Sequence, residues 1–334
     1  MNSKAISSFI ILILTVVLLA GCASNQAGEK GNKNTAPASS EEVRVFKHPM
    51  GQVELKGTPK RIVTLDFNYT EDLLALGVQP VGTADIDSKT GFNTLVNIQP
   101  GLDTSVVDVG GRQEPNLEKI AALKPDLIIT NVYFVKKNYD MLKAIAPTML
   151  FDPYPAEGKD QYEEMVETFR TIADMIGKQE TAEQVLTDLQ KTYAEAKETL
   201  KKAGKENADV VFAQLMPGQS GPTIMLFSGN SQGVNILKQI GLNNVYESGK
   251  YEQLGGTAAN VEALPALQDA DFIYTNTDDS GGLESQLQAN AVWKGLEFVK
   301  QQRVFPLERR IWGYGGPISA KLLAEETVKV LTRQ

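Results

Sequence analysis

Two stretches of this chain read as copies of one another: Asn116-Leu117-Glu118-Lys119-Ile120-Ala121-Ala122-Leu123 and Asn260-Val261-Glu262-Ala263-Leu264-Pro265-Ala266-Leu267. Each runs into an apolar, β-like segment, Leu127-Ile128-Ile129-Thr130 in the first copy and Phe272-Ile273-Tyr274-Thr275 in the second. A helix-to-strand unit used twice, with a glutamate at the same place in each, limits the fold to two similar lobes built around sheets. The neighbouring residues agree. Arg61-Ile62-Val63-Thr64-Leu65 is a β-branched run, and Thr70-Glu71-Asp72-Leu73-Leu74-Ala75-Leu76-Gly77 carries leucines at helical spacing before a glycine stop. A second β run follows at 78–83, and strand, helix and strand at this spacing predict a parallel sheet with helices on its faces.

The stretch 161–204 departs from this alternation, being helical with one interruption at Gly177. Beyond that glycine, Ala182, Val185, Leu189, Thr192, Tyr193, Ala196 and Leu200 fall three or four apart, while Glu and Lys cover the other side. This stripe predicts one long helix that joins the lobes and limits their swing. The second lobe then shows β runs at 209–215 and 223–227, a helix opened by Ser228-Gly229-Asn230-Ser231 and closed by Gly241, a late strand at 303–307 and a terminal helix at 317–332. The fold expected is α/β, with two Rossmann-like lobes of parallel-type sheets joined by a single long helix and a ligand cleft between them. The chain divides into a signal peptide (1–21), a lipidated flexible tether (22–42), an N-terminal lobe (43–158), a helical segment with the interlobe helix (159–205) and a C-terminal lobe (206–334).

The start of the chain sets the expected compartment. Lys4, an apolar run at 9–20 and Leu19-Ala20-Gly21-Cys22 form a secretory signal that ends in a lipobox, and the run is short for a membrane span. Cys22 is the only cysteine, so it has no disulfide partner within the chain. Its acylation would tether the mature protein to a membrane, at about 0.8 kcal/mol per buried methylene. Residues 23–42 are small and polar and read as a leash.

Several chemistries are excluded by counting. The formal net charge is −8 with no dense basic run, which argues against nucleic acid as a partner. The single histidine, His48, precedes the first strand–helix–strand unit, so neither a His/Cys metal cluster nor a Ser-His-Asp or Cys-His machine can be assembled. Gly110-Gly111 and Gly255-Gly256 are isolated pairs that read as turns, not as a phosphate loop. Carboxylate pairs stay open, and with them an extracellular carboxylate-dependent enzyme.

Four segments carry a family resemblance: Asp108-Val109-Gly110-Gly111-Arg112-Gln113-Glu114-Pro115-Asn116-Leu117-Glu118, continuing to Leu123-Lys124-Pro125-Asp126; Arg61-Ile62-Val63 before Glu71-Asp72-Leu73-Leu74-Ala75-Leu76-Gly77; Phe227-Ser228-Gly229-Asn230-Ser231; and Trp312-Gly313-Tyr314-Gly315-Gly316-Pro317-Ile318-Ser319-Ala320. In this order they resemble the iron-siderophore and vitamin B12 class of ABC-transporter substrate-binding proteins, across essentially everything after the tether. Gly82-Thr83-Ala84-Asp85 and the 108–118 segment are similar to the ferric hydroxamate, or ferrichrome, branch. The resemblance implies a monomeric, non-enzymatic lipoprotein, anchored through Cys22 on the outer face of the cell membrane of a Gram-positive host. It would capture an Fe(III)-siderophore and deliver it to the permease subunits of an ABC importer. The siderophore holds the iron, so no protein metal ligand and no cofactor is implied.

The same resemblance assigns roles. Arg112 aligns with the arginine that bonds the iron-coordinating oxygens, a task suited to a guanidinium with several fixed donors. Tyr133 falls where a tyrosine contacts the same oxygens. Phe67, Phe92, Trp312 and Tyr314 fall at aromatic wall positions, and Arg310, with Arg309, would add positive potential or only solvate the surface. Leu254, ahead of Gly255-Gly256-Thr257, stands where the ferrichrome branch has tryptophan, which leaves ferrichrome, a citrate-based dihydroxamate and ferric citrate all open. Glu118 and Glu262 match the lobe-tip glutamates that pair with permease arginines, although the helix dipole alone favours a first-turn glutamate by about 0.3–1 kcal/mol. Haem or corrinoid binding in the same transport class, and a structural lipoprotein that binds another protein, are the remaining alternatives; haem would ask for an axial ligand.

Overall fold

The computed structural model describes residues 43–333 apart from 89, 96, 97, 136, 220, 277–279, 309 and 310. The expected signal peptide and tether, with Cys22, and the expected cleft cations Arg309 and Arg310 lie outside the described residues.

Strands β1 (Val43–His48) and β2 (Gly51–Lys56) form an antiparallel hairpin. A five-stranded sheet follows, built from β3 (Ile62–Thr64), β4 (Gly82–Thr83), β5 (Val107–Asp108), β6 (Leu127–Asn131) and β7 (Thr148–Phe151) in the order β5-β4-β3-β6-β7. Every pair in it is parallel. Helices α1 (Phe67–Ala75), α2 (Leu117–Ala122), α3 (Val132–Val135) and α4 (Tyr139–Ile145) fill the crossovers. All five residues of β6 are buried, as a parallel strand covered on both faces requires.

The second sheet uses β8 (Asp209–Pro217), β9 (Pro222–Phe227), β10 (Asn243–Asn244), β11 (Gly256–Ala259), β12 (Asp271–Asn276) and β13 (Val304–Pro306). Its order is β11-β9-β8-β12-β13, with β10 against β8. The parallel expectation holds for β10, β8, β12 and β13, whereas β8–β9 and β9–β11 pair antiparallel. The connection 218–221 explains the β8–β9 pair, since it is far shorter than the dozen or so residues that a parallel crossover needs. Helix α7 (Gln232–Gln239), the short helices α8 (Gly282–Ala289), α9 (Ala291–Gly295) and α10 (Glu297–Lys300), and the terminal α11 (Pro317–Thr332) complete this lobe.

The two sequence copies occupy equivalent places, each leading into a central strand, β6 or β12. They differ in winding. The first is α-helical with Asn116 capping the Lys119 amide, whereas Val261–Leu267 is a 3₁₀ helix without a side-chain cap. Pro265 accounts for this, because it has no N–H to return to the carbonyl four residues back.

Helices α5 (Gln161–Met175) and α6 (Gln179–Lys202) join the lobes, with Gly177 at φ +67° in the turn between them. The predicted single helix is α6, whose 24 residues span about 36 Å. Ala182 and Leu186 belong to the core beneath the first sheet, and Leu189, Tyr193, Ala196 and Leu200 to the core beneath the second. Its partner α5 also divides: Phe169 and Ile172 enter the first core, Tyr162 and Met165 the second.

A further tie runs from α1 to the start of α11. The Ser319 amide and hydroxyl donate to the two oxygens of buried Glu71, at 2.7 and 2.6 Å. A Cβ on Gly316 would lie 2.3 Å from Asp72 Oδ1, so glycine is what lets this helix start approach the two acids. Burial pushes Glu71 up to about 7, against the pull of Ser319, and pushes Asp72 well above its ordinary value, with the Glu71 charge adding to the rise. The folded protein therefore keeps a proton on Glu71 that the unfolded chain releases near 4.5. Stability contributed by that proton is present at low pH and is lost as pH rises through this window, by an amount on the order of 3 kcal/mol. Denaturant unfolding at pH 5 and pH 8 should show a larger loss for the wild type than for Glu71→Gln. Equal losses would mean that Glu71 ionises at its ordinary pH.

Candidate functional site

Residues just past the carboxyl ends of β3, β5 and β13, together with Gln214 of β8 and Thr275 near the end of β12, line one cavity of about 130 Å³ between the sheets. Openings at the carboxyl ends of such strands are where α/β sheets hold ligands. Phe67 and Arg112 line it from the first lobe, and Gln214, Thr275 and Trp312 from the second.

Arg112 is the central charge. Its side chain is 21% exposed, its guanidinium lies 4.0 Å from the centre of the Phe67 ring, and the rings of Phe134 and Trp312 lie at 5.6 and 5.7 Å. Nη1 donates to Asp66 Oδ1 at 3.3 Å, and Nε stands 3.6 Å from Asp85 Oδ2. Asp66, two residues past β3, caps α1 through the Phe67 amide at 2.7 Å and accepts a hydrogen bond from Asn131 at the end of β6. Burial pushes its carboxyl up, while Arg112, the Phe67 amide and Asn131 pull it back. Arg112 is therefore a stacked, partly covered cation with an open edge, not a solvated surface residue.

Tyr133 is 40% exposed, beyond β6, with its amide and that of Phe134 donating to Asn131 Oδ1 at 2.9 and 3.0 Å. Its hydroxyl accepts from Gln253 at 2.7 Å. Burial, and then the charge and hydrogen bond of Asp152, hold the phenol up at about 12, so it is neutral at physiological pH.

An aromatic row crosses the cleft. Successive ring centres are 5.8 Å apart for Phe92–Phe67, 5.6 Å for Phe67–Trp312, 5.8 Å for Trp312–Tyr314, 5.7 Å for Tyr314–Tyr154 and 5.1 Å for Tyr154–Tyr133. Trp312 and Tyr314 are half-buried in it, with Trp312 Nε1 donating to Asn68 and the Tyr314 hydroxyl to the Leu254 carbonyl. Phe67 and Phe92 require a correction, being only 1% and 2% exposed. They back Arg112 and Trp312 because the amino end of α1 is covered on both sides.

Leu254 is 48% exposed, and its neighbours make the contacts: Gln253 reaches Tyr133, and the Tyr251 hydroxyl donates to the Pro155 carbonyl. Glu118 and Glu262 are both exposed in the first turns of their helices, away from the cavity lining. His48 is in the N-terminal hairpin, 3.2 Å from the Tyr139 hydroxyl. Asp66, Asp85, Asn131 and Tyr154 were not among the expected site residues. The signal for two of them was present, since Asn131 ends β6 and Asp66 follows the end of β3 by two residues, where this fold presents its ligand-facing groups.

Residues 62–310 match the profile of a family described as periplasmic binding protein. The chain belongs to that family. The Fe(3+)-citrate-binding protein YfmC of Bacillus subtilis (strain 168) is 29% identical over 98% of this chain and 97% of its own length. A solved structure, the Fe3+-Desferal-bound siderophore binding protein FhuD from Vibrio cholerae, superposes with a TM-score of 0.72 at 29% identity, over 82% of this chain and 98% of that one. The iron uptake ABC transporter substrate-binding protein PiuA from Streptococcus pneumoniae Canada MDR_19A gives a TM-score of 0.66 at 25% identity, over 86% and 98%. Family and neighbours agree on the two-lobed α/β architecture, and they are named for binding and transport.

Phe67 supplies both packing and the platform for Arg112, so Phe67→Ala should destabilise the protein by about 3–5 kcal/mol in denaturant unfolding. A loss under 1 kcal/mol would return Phe67 to the open wall of the cleft.

Proposed function

We propose that this protein captures an Fe(III)-siderophore outside the cell and passes it to the permease subunits of an ABC importer. The observation that carries the reading is the Arg112 guanidinium laid on Phe67 in the lining of the interlobe cavity, with the Tyr133 phenol at the other end of the aromatic row. Fixed N–H donors complement oxygens made electron-rich by ligating Fe(III), and the aromatic row accommodates the apolar skeleton without fixing its outline. The siderophore holds the metal. No protein ligand, cofactor or covalent step is assigned.

The similarity to the Desferal-bound protein supports a hydroxamate, and that to YfmC supports ferric citrate as the second reading. The lipobox supports attachment through Cys22 to the outer face of the membrane of a Gram-positive cell, with the folded body a monomer at the end of its tether. Exposed, equivalent Glu118 and Glu262 support docking of each lobe to permease arginines.

Trp293 is buried in the second-lobe core, so Trp293→Phe leaves Trp312 as the only tryptophan, a reporter in the cleft. Its quenching by ferric hydroxamates, ferric citrate, haem and cobalamin ranks the ligands. Failure of every ferric chelate to bind below about 10 μM, near −7 kcal/mol, would end this reading. Arg112→Ala should weaken the best chelate about ten- to a hundredfold with the fold retained. Unchanged affinity would remove Arg112 from the site. Combined Glu118→Ala and Glu262→Ala should leave chelate binding intact and lower iron uptake by cells, and normal uptake would leave both residues as dipole-favoured helix starts.

A further inference from the structure

We propose that Asp66 and Asn131 are positioning residues that set Arg112 and Tyr133 as one coupled unit. This rests on the reading of the cleft as the siderophore site. Asp66 is 4% exposed and uses both oxygens: Oδ1 accepts from the Phe67 amide at 2.7 Å and from Arg112 Nη1 at 3.3 Å, and Oδ2 accepts from Asn131 Nδ2. Asn131 is 2% exposed, and its carbonyl oxygen accepts from the amides of Tyr133 and Phe134 at 2.9 and 3.0 Å. The Phe134 ring is in turn one of the three placed around the guanidinium.

A direct path therefore joins the two ligand-facing groups: guanidinium, carboxylate, amide, then the backbone that carries the phenol. Serving α1 alone would need only the Phe67 bond to Oδ1. The second oxygen is turned toward β6, where it fixes which end of the Asn131 amide faces Tyr133. Two carboxylates flank Arg112, but Asp85 is the more exposed and the more distant, at 21% and 3.6 Å against 6% and 3.3 Å for Asp66. Asp66 is the one that also reaches the second ligand-facing residue. Displacing it would free the guanidinium and the Tyr133 turn together.

Asp66→Asn tests this, because asparagine is an equally good N-cap yet carries no charge and presents an NH₂ group within reach of Asn131 or Arg112. In a double-mutant cycle read as chelate Kd, Asp66→Asn should weaken binding about tenfold in the wild type. In the Arg112→Ala background it should change binding by less than about twofold. Independent effects that multiply would show that Asp66 acts on the fold alone and would overturn the proposal. A ligand-free measurement accompanies it. Asp66→Asn and Asn131→Ala should each speed amide exchange at Tyr133 and Phe134 about tenfold or more, and unchanged exchange would break the link to Tyr133. If Asp66→Asn does not fold, Asn131→Ala paired with Tyr133→Phe carries the cycle. If the wild type binds no ferric chelate, the functional reading fails, while the exchange measurement still decides whether Asp66 sets Tyr133.

Discussion

Two hydrophobic cores share one pair of helices, and the positions of all the cleft residues depend on that sharing. Leu186 and Leu189 stand on neighbouring turns of α6 yet belong to different cores. Each fully buried leucine contributes roughly 1.5–3 kcal/mol, so sliding one lobe along α6 would expose side chains on both sides of the junction. The tie between Glu71 and Ser319, and that between Trp312 and Asn68, bind the lobes again near the cleft. These attachments, with the Gln253–Tyr133 and Tyr251–Pro155 bonds, position the groups around the cavity.

That arrangement suits the chemistry of the cleft. Arg112 is stacked and hydrogen-bonded before any ligand arrives, so little side-chain freedom remains to be lost on binding. The aromatic row and the polar groups do different work. Rings offer broad apolar area with weak directional demands, whereas the guanidinium edge and the neutral Tyr133 phenol act only where an oxygen is placed correctly. A siderophore has both kinds of surface, a variable organic skeleton and a compact set of metal-bound oxygens.

Much of this was legible in the sequence wherever local pattern governs. The βαβ alternation and the stripe on α6 with its Gly177 break follow from periodicity and turn residues, while Arg112, in the loop after β5, is marked by the family resemblance. What escaped depends on contacts between distant segments. Asp66 and Asn131 are 65 positions apart, and nothing near either one announces the other. Glu71 lies in a helix whose amphipathic reading would leave acids in water, but α1 is covered on nearly every face once α11 packs on it. The family resemblance places Phe67 on the cleft wall, whereas packing of the start of α1 against Phe92 and Trp312 buries it. The 3₁₀ winding at Val261–Leu267 could have been anticipated, because Pro265 is visible in the sequence.

The loop at 251–254 sharpens the meaning of the missing tryptophan. Leu254 adds little aromatic area, but the same loop places Gln253 on the Tyr133 hydroxyl and Tyr251 on the Pro155 carbonyl. Gln253 donates to the Tyr133 oxygen while the phenol proton faces Asp152, so a ligand oxygen that takes this proton competes with Asp152 and leaves the Gln253 bond in place. The exchange costs little when the incoming atom is an oxygen with excess negative charge, because one charge-assisted bond then replaces another. An uncharged apolar group that displaced Asp152 would leave the phenol proton without an acceptor. Selection on this side of the cleft therefore rests on a polar exchange at Tyr133, and the leucine leaves room for it.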